Sequence, residues 1–379
     1  MIALGPNAPA TVAHRFARNL CVVAFLIFLA VGCESSTVVK PSGPKPLPPG
    51  TPGTWQDLGL SNGFVEVEAL TTWNGSLIAG GNFYDVAGNP ATSLAAWDGS
   101  SWIRLGPNFG GGVYALAVYN GHLIAGGTFA HLNGDTLRNI AEFDGTTWKP
   151  LGSGTSQGVT SLAVYGADLI AGGTFDAAGG EPASFIARWD GSAWHPLGSG
   201  LNSAPWALAV YKGKLFAGGS FDKAGGVSAP GIAMWTGLDW WDVGGGVGGG
   251  FGGSAYGTVY AMTVHADSLI VGGGFTSAGG VPAYHVAKWD GSVWDSLGTG
   301  VGQYSFEYVK ALGTYADTLV VGGTFPGNVR RWNGSAWLPM GALNGHVGAF
   351  AMYDGWLVAG GFFPREGLQQ ANGIARWVK

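Results

Sequence analysis

From residue 54 onward, apolar and polar positions alternate in short runs, and the runs return in the same order about every 46 residues. In one unit, residues 159–165 show the period-two alternation of a half-buried strand. Residues 166–168 supply a turn, and 169–171 form an apolar run that ends in Gly172-Gly173. Residues 175–184 read as a loop, 185–189 as a third strand and 194–197 as an outer strand, with Asp190-Gly191 as the hairpin turn between the last two.

The glycine pair, with Phe two residues beyond it, occurs seven times: Gly80-Gly81, Gly126-Gly127, Gly172-Gly173, Gly218-Gly219, Gly272-Gly273, Gly322-Gly323 and Gly360-Gly361. A W-x-x-(L/V/M)-G strand also begins seven times, at Trp55, Trp102, Trp148, Trp194, Trp240, Trp294 and Trp337. Four short strands in a repeat of this length predict an all-β chain, a seven-bladed β-propeller. The two series are out of phase. The chain opens on an outer strand, Trp55-Gln56-Asp57-Leu58-Gly59, and ends on a third strand, Ile374-Ala375-Arg376-Trp377. The N-terminal strand is therefore expected to serve as outer strand of the last blade, which removes an open edge.

Asn-Gly and Asp-Gly pairs punctuate the strands at Asn74-Gly75, Asn120-Gly121, Asp354-Gly355, Asp98-Gly99, Asp144-Gly145, Asp290-Gly291 and Asn333-Gly334. Their acids and amides are read as turn chemistry rather than catalytic groups. The unit as a whole resembles a kelch repeat: an apolar strand ending in Gly-Gly, a later aromatic, and a Trp soon after. Trp189 and Trp194 are five apart, tighter than in that family, so the unit is kelch-like. It is also similar to the Gly-rich repeats of the fungal cortical polarity marker family and of exported bacterial proteins. The resemblance covers residues 54–379 and implies a binding platform rather than a particular activity.

Composition narrows the class further. Glycine reaches 70 residues beside 17 Trp, with only 11% charged residues and a net charge of −5. No Lys/Arg run is present to neutralise a row of phosphates, so nucleic acid is not an expected partner. The two cysteines, Cys21 and Cys33, both precede the repeats, so no disulfide, thiolate nucleophile or Cys-ligated metal is expected in the folded body.

Arg15 and Arg18 precede an apolar run from Leu20 to Val31 that ends in Gly32-Cys33, as in a secretory signal. The ending Leu29-Ala30-Val31-Gly32-Cys33 resembles the lipobox of bacterial lipoproteins, with Ala30 where that motif carries Leu. The resemblance implies lipidation at Cys33 and membrane contact through the lipid alone; an ordinary cleaved signal is the other reading. Six prolines between Glu34 and Gly53 describe an extended tether. The expected organisation is thus 1–32 signal, 33–53 tether and 54–379 propeller, exported and anchored to the cell envelope.

No nucleophile elbow, zincin, EF-hand or P-loop pattern occurs in its required context, and no cofactor is expected. The histidines His122, His131, His195, His265, His285 and His346 show no ligand spacing and are read as surface or turn residues. A copper-radical oxidase of the kelch-like type is excluded, because the repeats contain no cysteine. Two functions stand: a binding module for an envelope or extracellular protein or glycan, and a hydrolase or lyase with acids at the channel mouth. Convergence of acids from several blades separates them. Asp85, Asp135, Asp176, Glu181 and Asp222 occupy similar loop positions, which spreads them around a rim and favours binding.

Specificity is expected on the face formed by the loops after the glycine pairs and the outer-to-inner connections, since these differ between units. Phe251, Tyr256, Tyr304 and Phe306 are candidate ligand contacts there, with Arg138, Glu181, Lys223 and Arg365 as orienting charges. The same aromatics could instead fill gaps between blades five and six.

Overall fold

The computed structural model describes residues 53–378 apart from 61–64, 87–88, 91–92, 107–108, 130, 133–134, 137 and 364–371. The expected signal and tether, Cys33 and Arg365 lie outside the described residues.

Among the described residues, seven four-stranded antiparallel sheets follow one another along the chain. Six are built from consecutive strands; the first runs Val65–Trp73, Ser76–Phe83, Leu94–Trp97 and Trp102–Arg104, from innermost to outermost. The seventh contains His346–Tyr353, Trp356–Phe362 and Ile374–Val378, and its outermost strand is Thr54–Asp57, with Trp55 opposite Trp377. The loops after the glycine pairs are less irregular than the sequence suggests. In the third sheet that loop folds into a two-stranded ribbon, Ala177–Ala178 with Glu181–Pro182, closed by Gly179 and Gly180 at positive φ.

The glycine pair has a packing cause. The second strand of each sheet is a continuous buried run, such as Leu77-Ile78-Ala79, because sheets lie against both of its faces. A Cβ on Gly80 would lie 2.7 Å from Val113 of the next sheet, and the equivalent Cβ on Gly360 would run into Val67 of the first. At the second glycine, a Cβ would strike the backbone carbonyl of the paired inner strand, Glu66 for Gly81 and His346 for Gly361. The Phe two residues on, from Phe83 to Phe363, is at most 2% exposed in every sheet and fills the core at that end.

Outer strands are tied to the neighbouring sheet. The Trp102 indole N–H donates to the Leu58 carbonyl, Trp194 to Leu151, Trp240 to Leu197, Trp294 to Val243, Trp337 to Leu297 and Trp55 to Met340, all at 2.8–2.9 Å. Trp148 of the second sheet has no such partner. Its sheet carries Phe143 where the others carry Trp, and the two rings stack at 22° instead of the 50–63° seen in the other six sheets.

The Asp-Gly turns behave as local structure. Asp98 accepts the N–H groups of Ser100 and Ser101, which hold its carboxyl down at about 2. Asp190 and Asp290 do the same, and Asn333 accepts the corresponding N–H groups of Ser335 and Ala336.

Candidate functional site: the axial mouth

Every inner strand carries a register irregularity at one place. It falls between Val67 and Ala69, Val113 and Ala115, Val159 and Ser161, Pro205 and Ala207, Val259 and Ala261, Val309 and Ala311, and Val347 and Ala349. A β-bulge leaves one residue outside the ladder and re-aims its side chain. The seven residues so released are Glu68, Tyr114, Thr160, Trp206, Tyr260, Lys310 and Gly348, and all seven line one cavity of about 380 Å³. Thr128, Gly158 and Thr174 complete the lining. These flank the glycine-pair ends of the strands, so the cavity opens on the face that carries the post-glycine loops.

The lining is chemically uneven. Trp206 and Tyr260 contribute tilted rings whose centroids are 6.5 Å apart, and Tyr308, outside the lining, packs against Tyr260 at 5.3 Å. On the next inner strand, Lys310 Nζ lies 2.8 Å from Glu68 Oε2. Behind this pair His346 Nε2 is 3.2 Å from Glu66 Oε1, close enough for an ion pair but off the line of a hydrogen bond. Burial, and then repulsion from Glu68, raises the Glu66 carboxyl above its usual 4.5, against the pull of Lys310. Burial, and then Lys310, pushes His346 below 6.5 and favours the neutral ring.

Glu66, Glu68 and His346 each offer one donor atom, all within 4.8 Å of one another, the set among the described residues that could hold a metal ion. A divalent ion there would have to displace the Lys310 ammonium from Glu68. His346 is thus neither isolated nor a turn residue as its spacing suggested, and His285, fully buried against the Tyr304 carbonyl, is not a surface residue either.

The residues singled out from sequence lie elsewhere. Phe251, Tyr256, Tyr304 and Phe306 are 49–71% exposed, so they do not fill the space between the fifth and sixth sheets; Val301 is buried in the core there, and Val247 in the core between the fourth and fifth. Tyr304 and Phe306 stack in parallel at 5.2 Å, and Tyr304 borders a cavity of about 630 Å³ with Tyr284, Glu307 and Arg330. Arg138, Glu181 and Lys223 are exposed on post-glycine loops and do not reach the axial cavity. Asp176 is bonded to Ser156 and Asp222 to Asn202, so these rim acids serve their own loops. The acids that do converge, Glu66 and Glu68, both come from the first sheet. Sequence reading passed over the ring, although its signal is present: in V/P-x-A/S-L/M/F the flanking residues hardly change while x runs through Glu, Tyr, Thr, Trp, Tyr, Lys and Gly.

No protein-family profile and no curated protein matches this chain. Solved structures do. The extracellular domain of a candidate one-component system from B. thetaiotaomicron aligns over 85% of the chain with a TM-score of 0.57 and 10% identity, and the chain spans 39% of that structure. The WD40 β-propeller domain of Doa1 aligns over 83% of the chain and 93% of its own length, with a TM-score of 0.52 and 14% identity. At these identities the likeness is one of fold, a β-propeller.

Proposed function

We propose that the chain is an exported, envelope-tethered binding protein whose sheets close into one seven-bladed, kelch-like ring, and that the ligand seats in the axial mouth. One observation carries the reading: a nearly invariant repeat varies freely at one position per sheet, and those positions meet in one cavity. The core does not call for that variation, since the residue before it, Val in six sheets and Pro205 in the fourth, is buried in every unit. Similarity to an extracellular domain agrees with export. The pairing of Thr54–Asp57 with Ile374–Val378 and the contact of Gly360 with Val67 support closure.

The tether belongs to the same proposal. Cys33→Ser should release the protein from the membrane fraction, because stable anchoring needs more than one acyl chain and the lipobox-like cysteine would carry them. An unchanged membrane fraction would remove Cys33 as anchor.

The binding claim is tested by retention of envelope components on immobilised protein. Tyr114→Ser with Trp206→Ser should lose retention with little change in Tm. Tyr256→Ser, Tyr304→Ser and Phe306→Ser together should keep it; loss only in this rim variant would place the site at the rim.

A second reading, a hydrolase or lyase at the mouth, is favoured by the approach of Glu66, Glu68 and His346. Lys310 ties up Glu68, which argues for positioning over proton transfer. Time-dependent breakdown of the retained ligand, abolished by Glu68→Gln, would establish the second reading.

A further inference from the structure

Resting on the axial site, we infer that its ligand is an uncharged saccharide, held with a sugar face on the Trp206 and Tyr260 rings and its hydroxyls on the polar residues of the lining. The first argument is the hydrogen-bond inventory. The Trp206 indole N–H is spent on Ser220 Oγ at 2.8 Å. The Thr160 hydroxyl donates to the Pro205 carbonyl at 2.6 Å, Thr128 to the Tyr114 hydroxyl at 3.3 Å, and Thr174 to the Gly158 carbonyl at 3.4 Å. Those protons are committed to the protein, whereas the Tyr114 and Tyr260 hydroxyls are free to donate, and the hydroxyl oxygens and the Glu68 carboxylate keep lone pairs. The mouth thus sets donors and acceptors side by side. Sugar hydroxyls, which both donate and accept, match it.

The second argument is charge. Glu68 and Lys310 cancel each other at 2.8 Å. An anionic ligand would have to take Lys310 from Glu68 and then sit beside Glu66 and Glu68. A cationic one would meet the Lys310 ammonium, already placed where a ligand cation would seek the carboxylate. Neither sign gains, and a neutral ligand leaves the pair intact. The third argument is aromatic: Trp206 and Tyr260, tilted by 53° to each other in the lining, offer an apolar surface for the C–H face of a pyranose, with Tyr308 packed against Tyr260 in support. A cavity of about 380 Å³ lies within the small-molecule range.

The test is calorimetric titration of the purified full-length protein with three probes: a panel of neutral hexose, pentose and N-acetylhexosamine oligosaccharides, galacturonate oligomers, and tetramethylammonium. A neutral saccharide should bind, Trp206→Ala should weaken it at least tenfold, and Trp206→Phe should retain most of it, with Tm unchanged in both. Saturation by galacturonate or tetramethylammonium with no neutral saccharide bound overturns the inference, as does silence from the whole neutral panel. If that silence comes while the Tyr114 and Trp206 variant still loses its envelope ligand, the chemistry is wrong and the site stands. Saccharide binding that ignores Trp206→Ala moves the site itself.

Discussion

Lys310 on the sixth inner strand reaches Glu68 on the first, Nζ to Oε2 at 2.8 Å, past a seventh inner strand that offers only Gly348. A Cβ on Gly348 would sit 2.8 Å from the Val67 carbonyl and 3.5 Å from Glu68 Oε2, so the glycine leaves the gap that the ion pair spans. The pair joins residues 242 apart in the chain and ties the sixth sheet to the first.

Lys310→Met leaves Glu66 and Glu68 side by side without a counter-charge. The pair is only partly exposed, so the cost lies between that of surface and buried pairs, about 1–2 kcal/mol. Adding Glu68→Gln should recover about half of it. Denaturant melts of the four proteins in this cycle measure the coupling, and additive losses would show that the two side chains do not cooperate.

Glu66 gives the mouth a pH signature. Its folded value is raised, so its stabilising contribution is complete below its ordinary 4.5 and is lost as pH rises through the folded value. Glu66→Gln removes that loss. The variant should melt with wild type near pH 4 and above it near pH 8; a Tm difference independent of pH would mean that Glu66 is not perturbed by its surroundings.

The strand exchange at the termini was legible in the sequence as a phase difference between two motif series, Trp55 before any inner strand and Trp377 with nothing after it. Deleting residues 54–60 removes Trp55 and the fully buried Leu60. Losing one large core side chain costs roughly 3–5 kcal/mol, and Tm should fall by roughly 5–10 °C. A melt within a degree or two of the intact chain would contradict the pairing of Thr54–Asp57 with Ile374–Val378.

Other features were not legible, for physical reasons. The repeat explains itself through its constant residues, so attention falls on the glycine pairs, the turns and the long loops. Position 68 and its equivalents look like strand filler, because nothing in a single strand announces a bulge. Its cause lies across the ladder, where each second glycine lets the inner-strand carbonyl approach. Aromatics such as Tyr304 and Phe306 drew notice by clustering in sequence. Trp206 and Tyr260, one residue in each of two repeats, come together only where their sheets pack side by side.

Phe143 offers a test of the repeat's internal logic. Phe143→Trp should let Trp148 tilt as in the other sheets and donate its indole N–H to the Leu105 carbonyl, by analogy with Trp194 and Leu151. A recovered hydrogen bond is worth about 1 kcal/mol, and Tm should rise by roughly 1–2 °C. A lower Tm would mean that the second sheet has no room for the larger ring.

The axial mouth as binding site is tested most directly by photo-crosslinking, with benzoylphenylalanine placed at Tyr114 in one protein and at Tyr304 in another. Both are exposed to envelope extract and irradiated. The account predicts ligand adducts from position 114 and none from position 304. Adducts from 304 alone, or from neither while unmodified protein still retains the ligand, would contradict it.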